Sequence, residues 1–358
     1  MKQFKLIDYP VVAGPASRDV MFPLLGFVAF LFRCGLGSLL ALLAVGCGRP
    51  EVKQVPVKTG PRKVVLQTDW FPQAEHGGFY QALAKGYYAQ AGLDVTILSG
   101  GPGVGIKLNV ARGDADFGMM RSDDLMVAAA RGMPFVMVSA TLQHDPQAVM
   151  VHAASPIKSL RDLNGHVVIA SISMAWIPHV QKKYGIKFDL KPNTYGLGEF
   201  LANPQAAQQC MVTSEPFLAQ QQGRPVRTLP LADSGYDVYH AIFCRRDLGR
   251  DSPEVVRAFV AASIHGWRDY LRNDPAPAHA LIRTRNPQMP PELLEFSRSE
   301  LIIRSLVHGD AAKGEDVGQL SLTRLEDEMQ TLYHLRLIDA PVSIGDVATK
   351  QYLPPLGE

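Results

Sequence analysis

The stretch KVVLQTDWFPQAEHGGFYQALAKGYYAQAGLDVTIL, residues 63–98, decides the fold of this chain. Residues 63–69 alternate between apolar and polar side chains, as a strand does, and residues 77–90 carry apolar side chains at helical spacing. Gly92 ends the helix, and residues 93–98 read as a second strand. The stretch therefore predicts a strand, a helix and a second strand in succession.

The same alternation continues along the chain and predicts an α/β fold with mainly parallel sheets flanked by helices. We expect further strands at 115–119, 135–140, 148–152, 167–170, 209–213 and 226–229, and helices at 104–112, 123–131, 157–163, 175–184, 254–271 and 320–337. The glycine-rich turn at 100–103 is expected to let the backbone approach a ligand closely.

Composition and charge fit a large folded body and argue against a nucleic-acid partner. The chain has 358 residues, of which 47% are hydrophobic and 20% charged, enough for one large core or two medium ones. The formal net charge is +2, and residues 1–46 supply that excess, so the remaining body is near neutral. Binding to phosphates would require a basic face.

The first part of the chain resembles an export signal. The apolar run 35–46 follows Arg33 and ends at Cys47; it is shorter than a normal bilayer span and has the size of a signal-peptide core. LAVGC, residues 43–47, resembles the bacterial lipobox, so we expect a signal peptide at 1–46, lipidation of Cys47 and a tether at 47–62. A membrane helix over 21–45 is the alternative. The expected location is the periplasm or the cell surface, with a lipid anchor in the membrane.

Of the four cysteines, two lie in the predicted folded body. Cys210 and Cys244 are expected to be buried free thiols, with a disulfide between them as the alternative. The sequence has no CxxC motif and no metal-ligand spacing, so no metal is expected.

Several motifs resemble one branch of the periplasmic-binding-like proteins. DWFPQAEHGGFY (69–80), AKGYY (84–88) and AGLDV (91–95) resemble the opening of its thiamine-pyrimidine branch, which contains bacterial formylaminopyrimidine-binding lipoproteins and the fungal thiamine-pyrimidine synthase. Further matching segments are GDADFG (113–118), SPIKSLRDL (155–163), Glu215-Pro216 and LYHLRLI (332–338). The resemblance spans roughly residues 63–353.

The resemblance implies a type II periplasmic-binding-protein fold with a ligand held between two lobes. The first lobe would comprise residues 63–148 and 242–358, the second residues 149–241, with crossing strands near 147–150 and 239–243. The implied function is the solute-binding component of an ABC importer. Its partners would be a small-molecule ligand and the importer's permease and ATPase subunits, and we expect a monomer with no catalytic residues and no cofactor.

Candidate ligand-binding residues follow the predicted strands, because ligands of open α/β sheets lie beyond the carboxyl ends of strands. From the first lobe these are Asp69, Trp70, His76, Arg121, Ser122 and Asp123, and from the second lobe Ser173, Trp176, Glu215, Asp237 and Tyr239.

The composition of this set indicates the ligand class. Carboxylates outnumber the single Arg121, which suits amino groups on a flat heterocycle better than a sulfonate or a nitrate. Trp70, Trp176 and the tyrosines offer planar faces for stacking. The resemblance implies a thiamine-precursor pyrimidine as the ligand, which fits this composition, and riboflavin or a sulfonate or nitrate ligand stays open. Purely structural roles also stay open, such as a helix cap at Asp69 or a core position for Trp70.

An enzymatic alternative is the synthase of the same branch. That enzyme uses a lysine and a histidine after the third strand and a cysteine-rich iron motif near the return crossover. Ungapped alignment from Asp116 onward places Met120 where the lysine belongs and Asp124 where the histidine belongs. Only Cys244 falls near the iron motif. We therefore expect a binding protein rather than an enzyme.

Overall fold

The computed structural model describes residues 60–355. The predicted leader, Cys47 and most of the predicted tether lie outside these residues. Within the described part, no helix is long and apolar enough to cross a bilayer.

The first half of the described chain alternates strands and helices, with few interruptions. Its elements are β1 (Arg62–Gln67), α1 (Gly77–Ala84), α2 (Tyr87–Gln90), β2 (Leu93–Leu98), α3 (Ile106–Arg112), β3 (Phe117–Arg121), α4 (Ser122–Ala130), β4 (Phe135–Leu142), β5 (Gln147–His152), β6 (Val167–Ala170), α5 (Trp176–Tyr184) and β7 (Asp189–Pro192).

The second half returns to the first sheet and then becomes helical. Its elements are α6 (Gly198–Ala202), β8 (Ala207–Met211), α7 (Glu215–Gln221), β9 (Val226–Pro230), β10 (His240–Arg245), α8 (Arg246–Asp251), α9 (Pro253–Arg272), α10 (Ala276–Arg285), α11 (Pro291–Ile303), α12 (Leu322–His334) and α13 (Ile344–Val347).

The strands form two sheets, which confirms the two-sheet α/β fold expected from the sequence. The first sheet has five strands in the order β2-β1-β3-β10-β4, and the second has five in the order β7-β6-β8-β5-β9. We call the first sheet with α1–α4 and α8–α13 the first lobe, and the second sheet with α5–α7 the second lobe. The chain passes between them at residues 143–146, the first crossover, and at residues 231–239, the second crossover.

The strand that follows each crossover runs against its neighbours. β10 is antiparallel to β3 and β4, and β5 is antiparallel to β8 and β9, whereas the β1–β2, β1–β3, β6–β7 and β6–β8 pairs are parallel. Parallel neighbours need a long crossover, usually a helix, but antiparallel strands do not. Only one strand in each sheet, β10 or β5, is reversed, so both sheets are mainly parallel, as expected.

Element bounds differ from expectation where local backbone geometry intervenes. The helix expected at 77–90 is interrupted at Gly86, whose φ of 73° is left-handed, so it becomes α1 and α2. The second sheet already begins at Gln147, and His240 and Ala241 already belong to the first sheet, so the strands change sheet about two residues from the expected positions. The lobe boundaries themselves stay a prediction.

The cysteines of the body lie in different sheets. Cys210 is in β8 and Cys244 is in β10, and both are buried free thiols, as expected. The alternative of a disulfide between them is wrong.

A glycine-mediated contact fixes α1 against α9 in the first lobe. A Cβ atom at Gly78 would lie 2.1 Å from Trp267 Cγ, and one at Gly77 would lie 2.2 Å from Tyr270 Cε1. Trp267 and Tyr270 are both almost fully buried, so neither ring can move aside without disturbing the core. α1 directly follows the segment that carries Asp69 and His76, so this contact also positions the cleft.

We predict that Gly78→Ala destabilises the protein although alanine has the higher helix propensity. The propensity gain is about 1 kcal/mol, and overpacking against Trp267 costs about 1–3 kcal/mol, more if the backbone must shift. Gly198→Ala is the matched control, because a Cβ there meets nothing within 4 Å. Urea unfolding should show a lower midpoint for Gly78→Ala only; equal midpoints for both variants would contradict the packing argument.

Candidate ligand-binding cleft

The two lobes touch each other beyond the carboxyl ends of their strands. The Thr213 hydroxyl, after β8, donates a hydrogen bond to Glu75 of the first lobe. The Ser297 hydroxyl of α11 donates to the Thr213 carbonyl at 2.6 Å. Arg121, at the end of β3, donates to the sulfur of Met174 in the second lobe. These contacts join the two lobes along the edge that we take as the candidate cleft.

Asp69 follows β1 and is the accessible carboxylate of a buried ionic group. Its side chain is 25% exposed, its Oδ1 lies 2.8 Å from His76 Nε2, and its Oδ2 lies 3.7 Å from His240 Nδ1. Burial alone would raise the pKa of Asp69, but the His240 and His76 side chains outweigh burial and lower it. Asp69 is therefore an ionised hydrogen-bond acceptor at the cleft.

His240 is a cleft residue that sequence reasoning missed. It is the first residue of β10, and its Nε2 lies 3.5 Å from Oδ1 of Asp145 in the first crossover. Burial alone would lower the pKa of His240. Asp145 and Asp69 outweigh burial and raise the pKa to about 9. The imidazole is thus a buried cation between two carboxylates. Its place directly after the second crossover was the available signal.

The predicted glycine turn packs on the backbone that carries Asp69. Gly100 N donates to the Trp70 carbonyl at 3.0 Å and to the Thr68 hydroxyl at 3.2 Å. A Cβ at Gly100 would lie 2.4 Å from the Thr68 carbonyl oxygen, so only glycine allows this approach. The turn thus supports the backbone of Asp69 and Trp70.

Aromatic rings from both lobes meet beside Asp69. Trp70 is half-buried and contacts Phe71 edge-on, and its ring centroid lies 5.1 Å from that of Tyr195 in the loop between β7 and α6. Tyr195 was not among the sequence candidates. It is 48% exposed and has a left-handed backbone with φ 62°, and its N–H donates to the Asn193 side chain. This exposed, uncommon conformation places a planar face opposite Trp70.

Arg121 is compensated by carboxylates of its own lobe. Its Nη2 lies 3.1 Å from Asp123 Oδ2 and 3.2 Å from Asp124 Oδ2. The Tyr236 hydroxyl of the second crossover also donates to Asp123. Arg121 and Asp123 are buried, so the guanidinium charge is balanced within the protein.

A pair of glutamates lies where the lobes meet at Thr213. Glu215 begins α7, and its Oε2 accepts from Met211 N at 2.8 Å and from the Ser214 hydroxyl at 2.6 Å. Burial raises the pKa of Glu215, and the nearby Glu75 carboxylate raises it further. Burial likewise raises the pKa of Glu75. Glu75 was counted among the cleft carboxylates but was not one of the predicted ligand-binding residues.

Three predicted candidates instead contact the C-terminal helical region. The Ser122 hydroxyl donates to Glu328 of α12 at 2.8 Å. Asp237 Oδ2 lies 2.7 Å from His144 Nδ1 and 3.2 Å from Arg324 Nη2. The Tyr239 hydroxyl accepts from Ser321 N at 3.2 Å. Their ligand roles stay predictions that these contacts do not favour.

Two further candidates lie in the second lobe. Trp176 is fully buried and stacks on Phe188, so it has no exposed face to offer a ligand in this structure. Ser173 is exposed on the loop after β6. The structure thus brings Asp69, Trp70, His76, Arg121, Asp123 and Glu215 to the cleft region and leaves Trp176 in the core.

The chain is similar to solute-binding proteins and to thiamine-pyrimidine synthases. A riboflavin-binding protein of Chloroflexus aurantiacus is 25% identical, and the match covers 89% of this chain and 97% of the relative. A 4-amino-5-hydroxymethyl-2-methylpyrimidine phosphate synthase of Saccharomyces cerevisiae is 26% identical over 60% of this chain and 69% of the enzyme.

The solved structures establish the fold. The periplasmic aliphatic sulphonate-binding protein of Escherichia coli superposes with a TM-score of 0.62 at 16% identity, covering 82% of this chain and 94% of that protein. This likeness confirms the periplasmic-binding-protein fold. The model of the family described as NMT1/THI5 like matches residues 73–278, more than half of the chain. The protein therefore belongs to the NMT1/THI5-like family.

Proposed function

We propose that the protein is the solute-binding component of an ABC importer and binds a flat heterocycle that donates hydrogen bonds, a thiamine-precursor pyrimidine. Lobe closure over this ligand would create the surface that the permease recognises and would engage the ATPase indirectly. The proposed location is outside the inner membrane, with the chain anchored by a lipid on Cys47.

The observation that carries the proposal is that a carboxylate, Asp69, and an aromatic ring, Trp70, follow each other at the cleft. An ionised carboxylate accepts hydrogen bonds strongly from ring N–H and amino groups. Trp70 and Tyr195 supply aromatic faces from opposite lobes, 5.1 Å apart between ring centroids. The two rings already touch at this separation, so a planar ligand would have to move them apart before it could stack on both. Contact with both lobes at once is the condition for ligand-driven closure.

The charge balance of the cleft argues against a small anion as the ligand. The Arg121 guanidinium is already paired with Asp123 and Asp124, and the His240 cation already lies between Asp69 and Asp145. A sulfonate or nitrate would have to displace these carboxylates and would face Asp69 directly. The likeness to the sulphonate-binding protein concerns the fold alone.

Riboflavin is a second candidate ligand. The riboflavin-binding relative matches along nearly its whole length, and an isoalloxazine ring also presents a flat face and an N–H donor. A synthase activity is not proposed for the chain. Met120 and Asp124 stand where that enzyme has its lysine and histidine, and Asp124 is paired with Arg121.

We predict that Asp69→Asn weakens binding of 4-amino-5-hydroxymethyl-2-methylpyrimidine. A hydrogen bond to a charged group contributes about 1.5–3 kcal/mol, so affinity should fall by about 10- to 140-fold. Asp94→Asn, on the exposed side of β2, is the matched control and should leave affinity unchanged. Isothermal titration calorimetry measures both.

The same calorimetry with riboflavin, an alkanesulfonate and nitrate ranks the ligand classes. Binding of an anion alone, with no response to either heterocycle, would refute the proposed ligand class. Formation of a pyrimidine with loss of a histidine from the chain, on incubation with pyridoxal phosphate and iron, would refute the non-enzymatic function.

Removing one aromatic face should weaken binding without destabilising the fold. An aromatic contact contributes about 0.5–1.5 kcal/mol beyond its buried area, so Tyr195→Ala should raise the dissociation constant by about 2- to 12-fold. Tyr333→Ala in α12 is the control, because Tyr333 is also about half-exposed (42%) but contacts His334 away from Trp70. Equal affinities for the two variants would exclude Tyr195 from the site.

Lipidation is tested by mass spectrometry of the chain expressed in a bacterium. We expect the mature protein to begin at a diacylated Cys47 and to sediment with membranes, and Cys47→Ala to abolish both properties. A mature wild-type protein with an unmodified cysteine, or one retained in the cytosol, would contradict the anchor.

A further inference from the structure

Four titratable side chains form a row from the cleft to the first crossover. His76 Nε2 lies 2.8 Å from Asp69, His240 Nδ1 lies 3.7 Å from the other oxygen of Asp69, and His240 Nε2 lies 3.5 Å from Asp145. Asp69 is the more exposed carboxylate of this row, and Asp145 at its far end lies in the first crossover. We call the two crossovers together the hinge and the four side chains the cleft-to-hinge row.

Exposure changes sharply along the row. The Asp69 side chain is 25% exposed, whereas those of His76, His240 and Asp145 are 0%, 4% and 0% exposed. Of these four, only Asp69 is substantially accessible from the cleft. Any effect of a ligand on the buried members therefore passes through the Asp69 carboxylate.

His240 lies at the junction of both crossovers. It is the first residue after the second crossover, it pairs with Arg121 of β3 and Leu142 of β4, and its carbonyl accepts from the Thr141 hydroxyl at 2.9 Å. Asp145 lies in the first crossover, and its backbone N–H donates to Asp237 of the second crossover at 2.8 Å. A shift of either crossover therefore changes the geometry around His240.

The row is incompletely hydrogen-bonded in this arrangement. His76 Nδ1, His240 Nε2 and Asp145 Oδ2 are buried and have no hydrogen-bond partner. The separations of 3.5 and 3.7 Å exceed the ~2.8 Å of a charge-assisted hydrogen bond. Buried polar groups are normally hydrogen-bonded, so a small movement of these side chains that completes the missing hydrogen bonds would be favourable.

We propose that His240 is a positioning residue that holds Asp69 for the ligand and ties it to both interlobe crossovers, so that a donor bound at Asp69 shifts the hinge. The inference rests on the proposed binding function and extends it to a residue that does not itself contact the ligand. Through this link the occupancy of one carboxylate biases opening and closing.

The charge of His240 gives the proposal a pH signature. The groups that face it are Asp69 from the end of β1 and Asp145 from the first crossover, with Arg121 beside it on β3 already paired to Asp123 and Asp124. The folded-state pKa of about 9 lies above the ordinary 6.5, so the stabilisation is fully present below about pH 6.5 and is lost as pH rises through about 9. Above that pH, Asp69 and Asp145 repel each other without a cation between them.

The test uses the full mature protein, with His240→Gln as the conservative neutral variant and His152→Gln as the matched control. His152 is a histidine of β5 that stacks on Phe200 in the second lobe, away from the row. Interlobe distance is measured with spin labels at Arg283→Cys in α10 and Lys187→Cys before β7, both at exposed positions. Side-chain NMR follows the titration of His240.

Without any ligand, we expect the interlobe distance to change between pH 7 and pH 10 in the wild type and in His152→Gln, and to stay constant in His240→Gln. Asp145→Asn should lower the midpoint of the His240 titration from about 9. A His240 midpoint near 6.5 in the wild type, or the same pH response in His240→Gln, would overturn the proposal.

With 4-amino-5-hydroxymethyl-2-methylpyrimidine as the probe, His240→Gln should bind about tenfold more weakly at pH 7 and lose the fall in affinity above pH 9. A purely structural role would weaken binding equally at every pH and would overturn the proposal. Failure of the wild type to bind the probe would refute the proposed ligand, and the two measurements without ligand would still decide the role of His240.

Discussion

The interaction on which the cleft depends is the buried histidine cation between Asp69 and Asp145. Burying an unpaired carboxylate is costly, so Asp69 can remain ionised only because His76 and His240 lie beside it. The same imidazole joins the carboxylate to both passages of the chain between the lobes. One group of side chains therefore supports both the carboxylate that we propose as the ligand's acceptor and a contact between the two crossovers.

The fold explains why these residues meet. Asp69 follows β1, Arg121 ends β3 and His240 begins the antiparallel β10, and the three strands are adjacent in one sheet. Antiparallel pairing of β10 brings its first residue to the edge where β1 and β3 end. The glycine contacts at Gly78 and Gly100 then hold the segment after β1 in place, because larger residues would collide with Trp267 or with the Thr68 carbonyl.

The periodicity and the motifs were sufficient to predict the two sheets, and residues 93–98 and 167–170 are strands with those bounds. Asp69, Trp70 and His76 could be placed at the cleft because they directly follow the first strand. The burial of Trp176 could not be predicted, since an apolar residue at the start of a helix can face either the core or the cleft. His240, Asp145 and Tyr195 were missed because they meet the site through chain crossing and loop geometry, which no local pattern records.

The central claim is that the cleft binds a flat molecule that donates hydrogen bonds to Asp69, and that this molecule is released without chemical change. Native mass spectrometry of the protein purified from a bacterium grown with excess thiamine precursors and riboflavin tests it most directly. The account predicts a retained heterocycle of unaltered mass, absent from Asp69→Asn. Retention of a sulfonate or nitrate instead, or of a chemically converted product, would contradict it.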